Sequence, residues 1–148
     1  MKNVLFAVVI LGMFGMAACS KSEDSVVQTQ TQIEDNVNSF TWKITKFVDS
    51  DNYETSYFSG YSFSFNEDGT VTATGSSNTY SGTWSITDSN SSDDSIDDLD
   101  FNINFDVTND FEELNDDWDF ISQSGTKIEL FDVSGGDGET DYLTFEKE

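Results

Sequence analysis

Between Leu99 and Val107 the chain alternates without a break: Leu99, Phe101, Ile103, Phe105 and Val107 stand against Asp100, Asn102, Asn104 and Asp106. In an extended chain, residues two apart point to the same side. This stretch therefore has one face fit for a core and one fit for water, a period that a helix cannot reproduce. The pattern recurs through most of the chain from Ser39 to Glu148. Phe40, Trp42 and Ile44 predict a first strand; Tyr61, Phe63 and Phe65 a second; Val71 and Ala73 a third; Tyr80, Gly82, Trp84 and Ile86 a fourth. After the strand at Leu99, further strands are expected at Trp118 and Phe120, at Ile128 and Leu130, and at Leu143 and Phe145. Turn chemistry separates them: Asn66-Glu67-Asp68-Gly69, Gly75 to Asn78, Ser124-Gly125 and Gly135 to Gly138. Only Phe111 to Leu114 reads as a helical turn.

Strands with one wet face pair antiparallel and need no helix to cover them. About eight short strands in order, with no room for crossover helices, make a meander. Closing it removes its edges, so the expected fold is all-β: an eight-stranded antiparallel up-and-down barrel, with a two-sheet sandwich as the alternative.

Five segments also carry a resemblance. Trp42-Lys43-Ile44, Phe65 to Val71, Tyr80-Ser81-Gly82-Thr83-Trp84-Ser85-Ile86, Lys127-Ile128-Glu129-Leu130 and Leu143-Thr144-Phe145-Glu146-Lys147 are similar to the lipocalin-like lipoproteins of Bacteroidota. The resemblance implies a lipocalin-like barrel over residues 39–148 with space for one small apolar ligand.

The first eighteen residues read as a secretory signal: Lys2 gives a positive start, Val4 to Phe14 an apolar run too short to span a bilayer, and Ala17-Ala18 a small-residue site before Cys19. Met16-Ala17-Ala18-Cys19 resembles the cleavage site of bacterial lipoproteins, which implies a lipid on the thiol of Cys19 and an outer-membrane anchor. Residues 19–38 are polar and predict a flexible tether. In it, Ser20-Lys21-Ser22-Glu23-Asp24 is similar to the signal that sends Bacteroidota lipoproteins to the cell surface; solvated linker charge is the other reading. With one cysteine, no disulfide forms within the chain.

Acidic residues number 29 against 6 basic ones, for a net charge of -23. Such a field repels phosphate backbones and anionic head groups, so nucleic acid is excluded as a partner. The chain has no histidine, which removes the Ser-His-Asp and Cys-His nucleophile systems and the usual zinc sites. Among 29 carboxylates some pair will stand at a hydrolytic distance by chance, and no pair is singled out. The chain is therefore expected not to be an enzyme and to need no cofactor.

Two functions remain. An eight-stranded barrel is either filled or just wide enough for a small ligand. If it is open, Trp42, Tyr61, Phe63, Tyr80, Trp84, Phe101, Phe105, Trp118 and Phe120 are the candidate lining of a pocket for a small apolar molecule. If it is filled, the protein is a surface interaction module whose acidic loops meet a protein, a cation or a glycan. The richest loop, Asp88 to Asp98, fails as an EF-hand calcium loop. It has Asp93 where glycine is needed and Leu99 where a bidentate glutamate is needed. The acids Asp49, Asp51 and Glu54, and Asp132, Asp137 and Glu139, are weaker clusters of the same kind.

Overall fold

The structure, a computed structural model, describes residues 23–89, 96–133 and 138–148, with side chains from residue 30 onward. An N-terminal helix α1 (Glu23–Asn38) leads into nine strands: β1 (Thr41–Asp49), β2 (Asn52–Tyr53), β3 (Ser62–Phe65), β4 (Thr70–Thr74), β5 (Thr79–Asp88), β6 (Leu99–Phe105), β7 (Asp116–Gln123), β8 (Lys127–Asp132) and β9 (Asp141–Lys147). Each strand pairs antiparallel with the next in space, and β1 also pairs with β9, Ile44 opposite Phe145 and Phe47 opposite Leu143. That pairing closes the sheet. The fold is an eight-stranded up-and-down barrel with the two-residue β2 added beside β1, and the sandwich alternative is set aside.

Strand positions follow the alternation. Along β6 the apolar residues are buried and Asp100, Asn102 and Asn104 are not; β6 ends at Phe105, two residues short of the expected Val107. The turn before β4 is built as its residues suggest. Gly69 takes a φ of 80° and donates to the Asn66 carbonyl at 3.0 Å, while the Asp68 carboxylate accepts from the Thr70 amide at 3.0 Å. Gly82 has a different purpose. A Cβ there would collide with the Asn104 carbonyl, so this position lets β5 and β6 approach closely.

The tether expectation is corrected. From Glu23 to Asn38 the chain is a helix, and Ile33 and Val37, one turn apart, are buried in the barrel core. Polar residues dominate its sequence, so packing of those two side chains rather than propensity holds the helix in place. Gln30 Nε2 donates to the Ile86 carbonyl at 2.9 Å, and Asn36 Nδ2 to the Ser124 carbonyl at 2.8 Å. These bonds reach β5 and the turn between β7 and β8, at the barrel end that α1 closes. The folded unit thus begins ahead of residue 39.

The far mouth is closed by two 3-10 turns. Thr55–Phe58 supplies Phe58, and Asp110–Leu114 supplies Phe111 and Leu114, all buried. The second lies where a helical turn was expected and is capped by Asn109, whose Oδ1 accepts from the Phe111 amide at 3.0 Å.

Candidate functional site

Of the nine aromatic residues expected to line a pocket, Trp42, Phe63, Trp84, Phe101, Phe105, Trp118 and Phe120 are buried inside the barrel, and Tyr61 and Tyr80 are half-buried at the far mouth. Several of them meet one another ring to ring. Phe101 stands 5.7 Å from Trp84, 5.8 Å from Phe120 and 5.4 Å from Phe65 between ring centroids. Phe65 in turn meets Phe145 at 5.4 Å, and Phe145 meets Phe63 at 5.5 Å. At the far mouth Phe111 touches Tyr80 at 4.6 Å, Tyr61 at 4.9 Å and Phe105 at 5.3 Å. These spacings, many edge to face, are those of packed aromatic cores.

The three tryptophans show the same thing through their polar atoms. A buried indole N–H must find an acceptor. Trp42 donates to the Val37 carbonyl of α1 at 2.9 Å, Trp84 to the Asn66 carbonyl of the β3–β4 turn at 2.9 Å, and Trp118 to the Leu114 carbonyl of the second 3-10 turn at 3.1 Å. Trp42 and Trp118 thereby tie the closing segments α1 and the second 3-10 turn to the wall, Trp84 ties the β3–β4 turn, and each indole N–H has an acceptor within the protein.

The polar features lie at the far mouth and on the outer surface. Asp49 ends β1, Glu54 precedes the first 3-10 turn and Glu113 sits in the second. One carboxylate oxygen from each lies within 4.8 Å of the others. Glu54 Oε2 is buried and lacks a hydrogen-bond donor among the described residues. Burial, a hydrogen bond to Glu54, and the charges of Glu54, Asp49 and Asp110 push the Glu113 carboxyl up to about 7. The arrangement calls for positive charge, as a proton shared between Glu113 and Glu54 or as a small cation. The sequence paired Asp49 with Glu54 and Asp51; Glu113, brought in from a distant turn, carried no signal of its own. Asp51 lies in the tight turn from β1 to β2, where it and Ser50 adopt φ of 68° and 48°. The Ser50 amide donates to Asp141 at 2.8 Å.

Further carboxylates flank this end. Asp116, at the start of β7, is pushed up to about 6, by burial first and by Asp117 and Asp132 as well. Asp132 lies directly opposite Asp141 and is also raised, by burial and by Asp141. Its expected companion Asp137 lies outside the described residues, and Glu139 is exposed. Of the acidic loop, Asp93 and Asp94 lie outside the described residues, as do Cys19 and the signal segment; Asp97 and Asp98 form a short 3-10 turn.

On the outer wall, β5, β6 and β7 bring polar side chains into rows. Thr87 lies opposite Asp100 and Asp100 opposite Asp119; Ser85 lies opposite Asn102 and Asn102 opposite Asp117. A shallow groove of about 430 Å³ runs along this wall past Thr83, Asn102, Asn104 and Asp117. At its upper edge Asn115 extends the ladder with its side chain, accepting from the Phe105 amide at 2.5 Å and donating to the Phe105 carbonyl at 2.9 Å.

No family model and no curated protein matches the chain. Among solved structures it is similar to a duf4847 family protein from Bacteroides vulgatus ATCC 8482, at 18% identity and a TM-score of 0.49, over 78% of this chain and 97% of that one.

Proposed function

We propose that the mature protein is a lipid-anchored, non-catalytic interaction module of the outer membrane, with a filled barrel that meets its partner through its acidic exterior. The observation that carries this reading is the ring-to-ring packing of Phe63, Phe65, Phe101, Phe120 and Phe145, with α1 across one end and Phe58, Phe111 and Leu114 across the other. A barrel so packed and closed favours the exterior over an apolar ligand inside. An anchor on Cys19, four residues before Glu23, would tie the α1 end to the bilayer and leave the walls and far mouth facing outward.

The first test is native mass spectrometry of the full-length protein released from its membrane. The expected mass is that of the lipidated chain alone. A co-purifying molecule of a few hundred daltons, about the size of a drug-like ligand, would overturn the filled-barrel reading. Cys19→Ser tests the anchor. It should abolish acylation and leave the signal peptide uncleaved, and an unchanged acylated N-terminal peptide would reject the anchor.

A further inference from the structure

The lysines are distributed unevenly around the barrel. Lys43 and Lys46 lie on β1, Lys127 on β8 and Lys147 on β9; β5, β6 and β7 carry neither lysine nor arginine. On β6 and β7 two outward carboxylates face each other instead. Asp100 and Asp119 are directly opposite, with Asp117 two residues along the same face. Like charges placed directly opposite weaken a strand pair, and here no lysine of either strand offsets the cost.

The neighbouring positions are apolar. Phe131 of β8 lies opposite Asp119 and is half-buried, Val133 just beyond β8 is 55% exposed, and Ile121, at the irregularity in β7, is 51% exposed. Charges that repel across the sheet, beside exposed aliphatic side chains, break the local rules for a wall that faces only water. Surfaces that bind proteins combine these features: apolar contact area, with charges whose partners come from the other molecule.

We propose that the outer wall of β5 to β7, with the adjoining Phe131 and Val133, is a docking surface for a protein partner that presents a lysine- or arginine-rich face. This rests on the reading of the protein as an interaction module and names the surface and its partner. Charge complementarity identifies the partner. A cationic side chain between Asp100 and Asp119 relieves their repulsion, and Asn102 and Ser85 beside them offer further polar contacts. A second copy of this chain docking through the same wall would set carboxylates against carboxylates.

The probe is a fluorescent oligolysine titrated into the full-length protein in neutral detergent, with oligoglutamate as the negative control. Asp100→Asn/Asp117→Asn/Asp119→Asn removes charge from the wall. Asp35→Asn/Glu67→Gln/Glu139→Gln removes the same charge from exposed positions elsewhere. The wall variant should weaken oligolysine binding by at least about tenfold and the control by less than about twofold. Thermal unfolding should show the wall variant folded and no less stable than the parent, which separates lost binding from lost structure. Equal losses in the two variants would overturn the wall and leave the broader reading standing, since binding would then follow the diffuse field. Self-association that the wall variant abolishes, without oligolysine binding by the parent, would overturn the proposal in favour of a second copy. A ligand retained inside the barrel would instead sink the broader reading.

Discussion

Two walls of one barrel treat charge in opposite ways. On the wall formed by β8, β9 and β1, Lys43 lies opposite Glu146, and Glu146 opposite Lys127, so positive and negative side chains alternate across three strands. Lys127 also reaches Glu129 at 2.6 Å, Lys46 stands 4.1 Å from the Tyr142 ring centroid, and Lys147 3.3 Å from that of Phe40. On the wall formed by β5, β6 and β7, Asp100 lies opposite Asp119 with no basic residue on any of the three strands. The backbone geometry and the packed interior are shared. The first wall sets its lysines against carboxylates and rings of the same molecule, whereas on the second the facing carboxylates have no lysine or arginine on their own strands.

Both walls rest on one shared core. Phe101 of β6 lies under the acidic wall and Phe145 of β9 under the paired one, with ring centroids 6.4 Å apart. Replacing either by alanine should cost about 3–5 kcal/mol, the usual cost of deleting a buried aromatic ring. Urea unfolding measures it. A loss below about 1 kcal/mol for Phe101→Ala alone would mean spare volume beneath the acidic wall and would restore the case for an internal ligand.

Ile33→Ala asks the same question of the helix. Ile33 is 3% exposed and packs into the core from the α1 end. Truncation should cost about 2 kcal/mol or more in the same assay. An unchanged midpoint would show that α1 does not hold the barrel shut.

The alternation in β6, and its weaker copies from Trp42 to Phe145, made the strands, their order and the inward residues legible, because side-chain direction in a strand depends only on sequence parity. Closure followed from strand count, and the Asn66–Gly69 turn from its residues. Helix α1 was not legible as such. Ile33 and Val37 gain their energy from a barrel end assembled by residues far along the chain, and the surrounding Gln, Thr, Asp and Asn residues give no apolar stripe. An open and a filled barrel read alike in the sequence, since an aromatic residue facing inward looks the same lining a cavity or packed against another. The acidic wall depended on register. Asp100 and Asp119 are spaced by a loop whose length fixes which residues meet, and that pairing exists only once the strands are aligned.

Charge exchange sharpens the contrast between walls with a smaller effect. Asp119→Lys places a cation opposite Asp100 and should stabilise the protein by about 0.5–1 kcal/mol at low salt. Lys127→Glu, on the paired wall, should destabilise it by a similar amount, about 0.5–1 kcal/mol. Both differences should shrink in about 1 M salt, where screening acts over about 3 Å. Thermal unfolding at the two salt concentrations decides the matter. If Asp119→Lys leaves the melting temperature unchanged at low salt, the opposed carboxylates do not repel, and the acidic wall loses its special character.

Acidity should separate the walls most finely. Asp100 is raised by burial and then by Asp119, Asp117 and Asp88; Asp116, Asp132 and Glu113 are raised as well. These groups hold protons more tightly folded than unfolded. Their contribution therefore grows as pH falls through about 7 toward the ordinary carboxylate range, and is lost as pH rises again. Glu129, on the paired wall, behaves in reverse: its hydrogen bonds from Lys127 and Ser122 lower it. Its contribution is present above the ordinary glutamate value and is lost below it. The melting temperature should accordingly rise on acidification from about pH 8 to about pH 5, then fall as the lowered carboxylates take up protons. Asp100→Asn should remove part of the rise, and Glu129→Gln part of the decline. A parent protein that loses stability steadily from pH 8 downward would mean that the carboxylates of the acidic wall and far mouth stand too far apart in solution to repel, because only mutual repulsion and burial give the folded state its excess of protons.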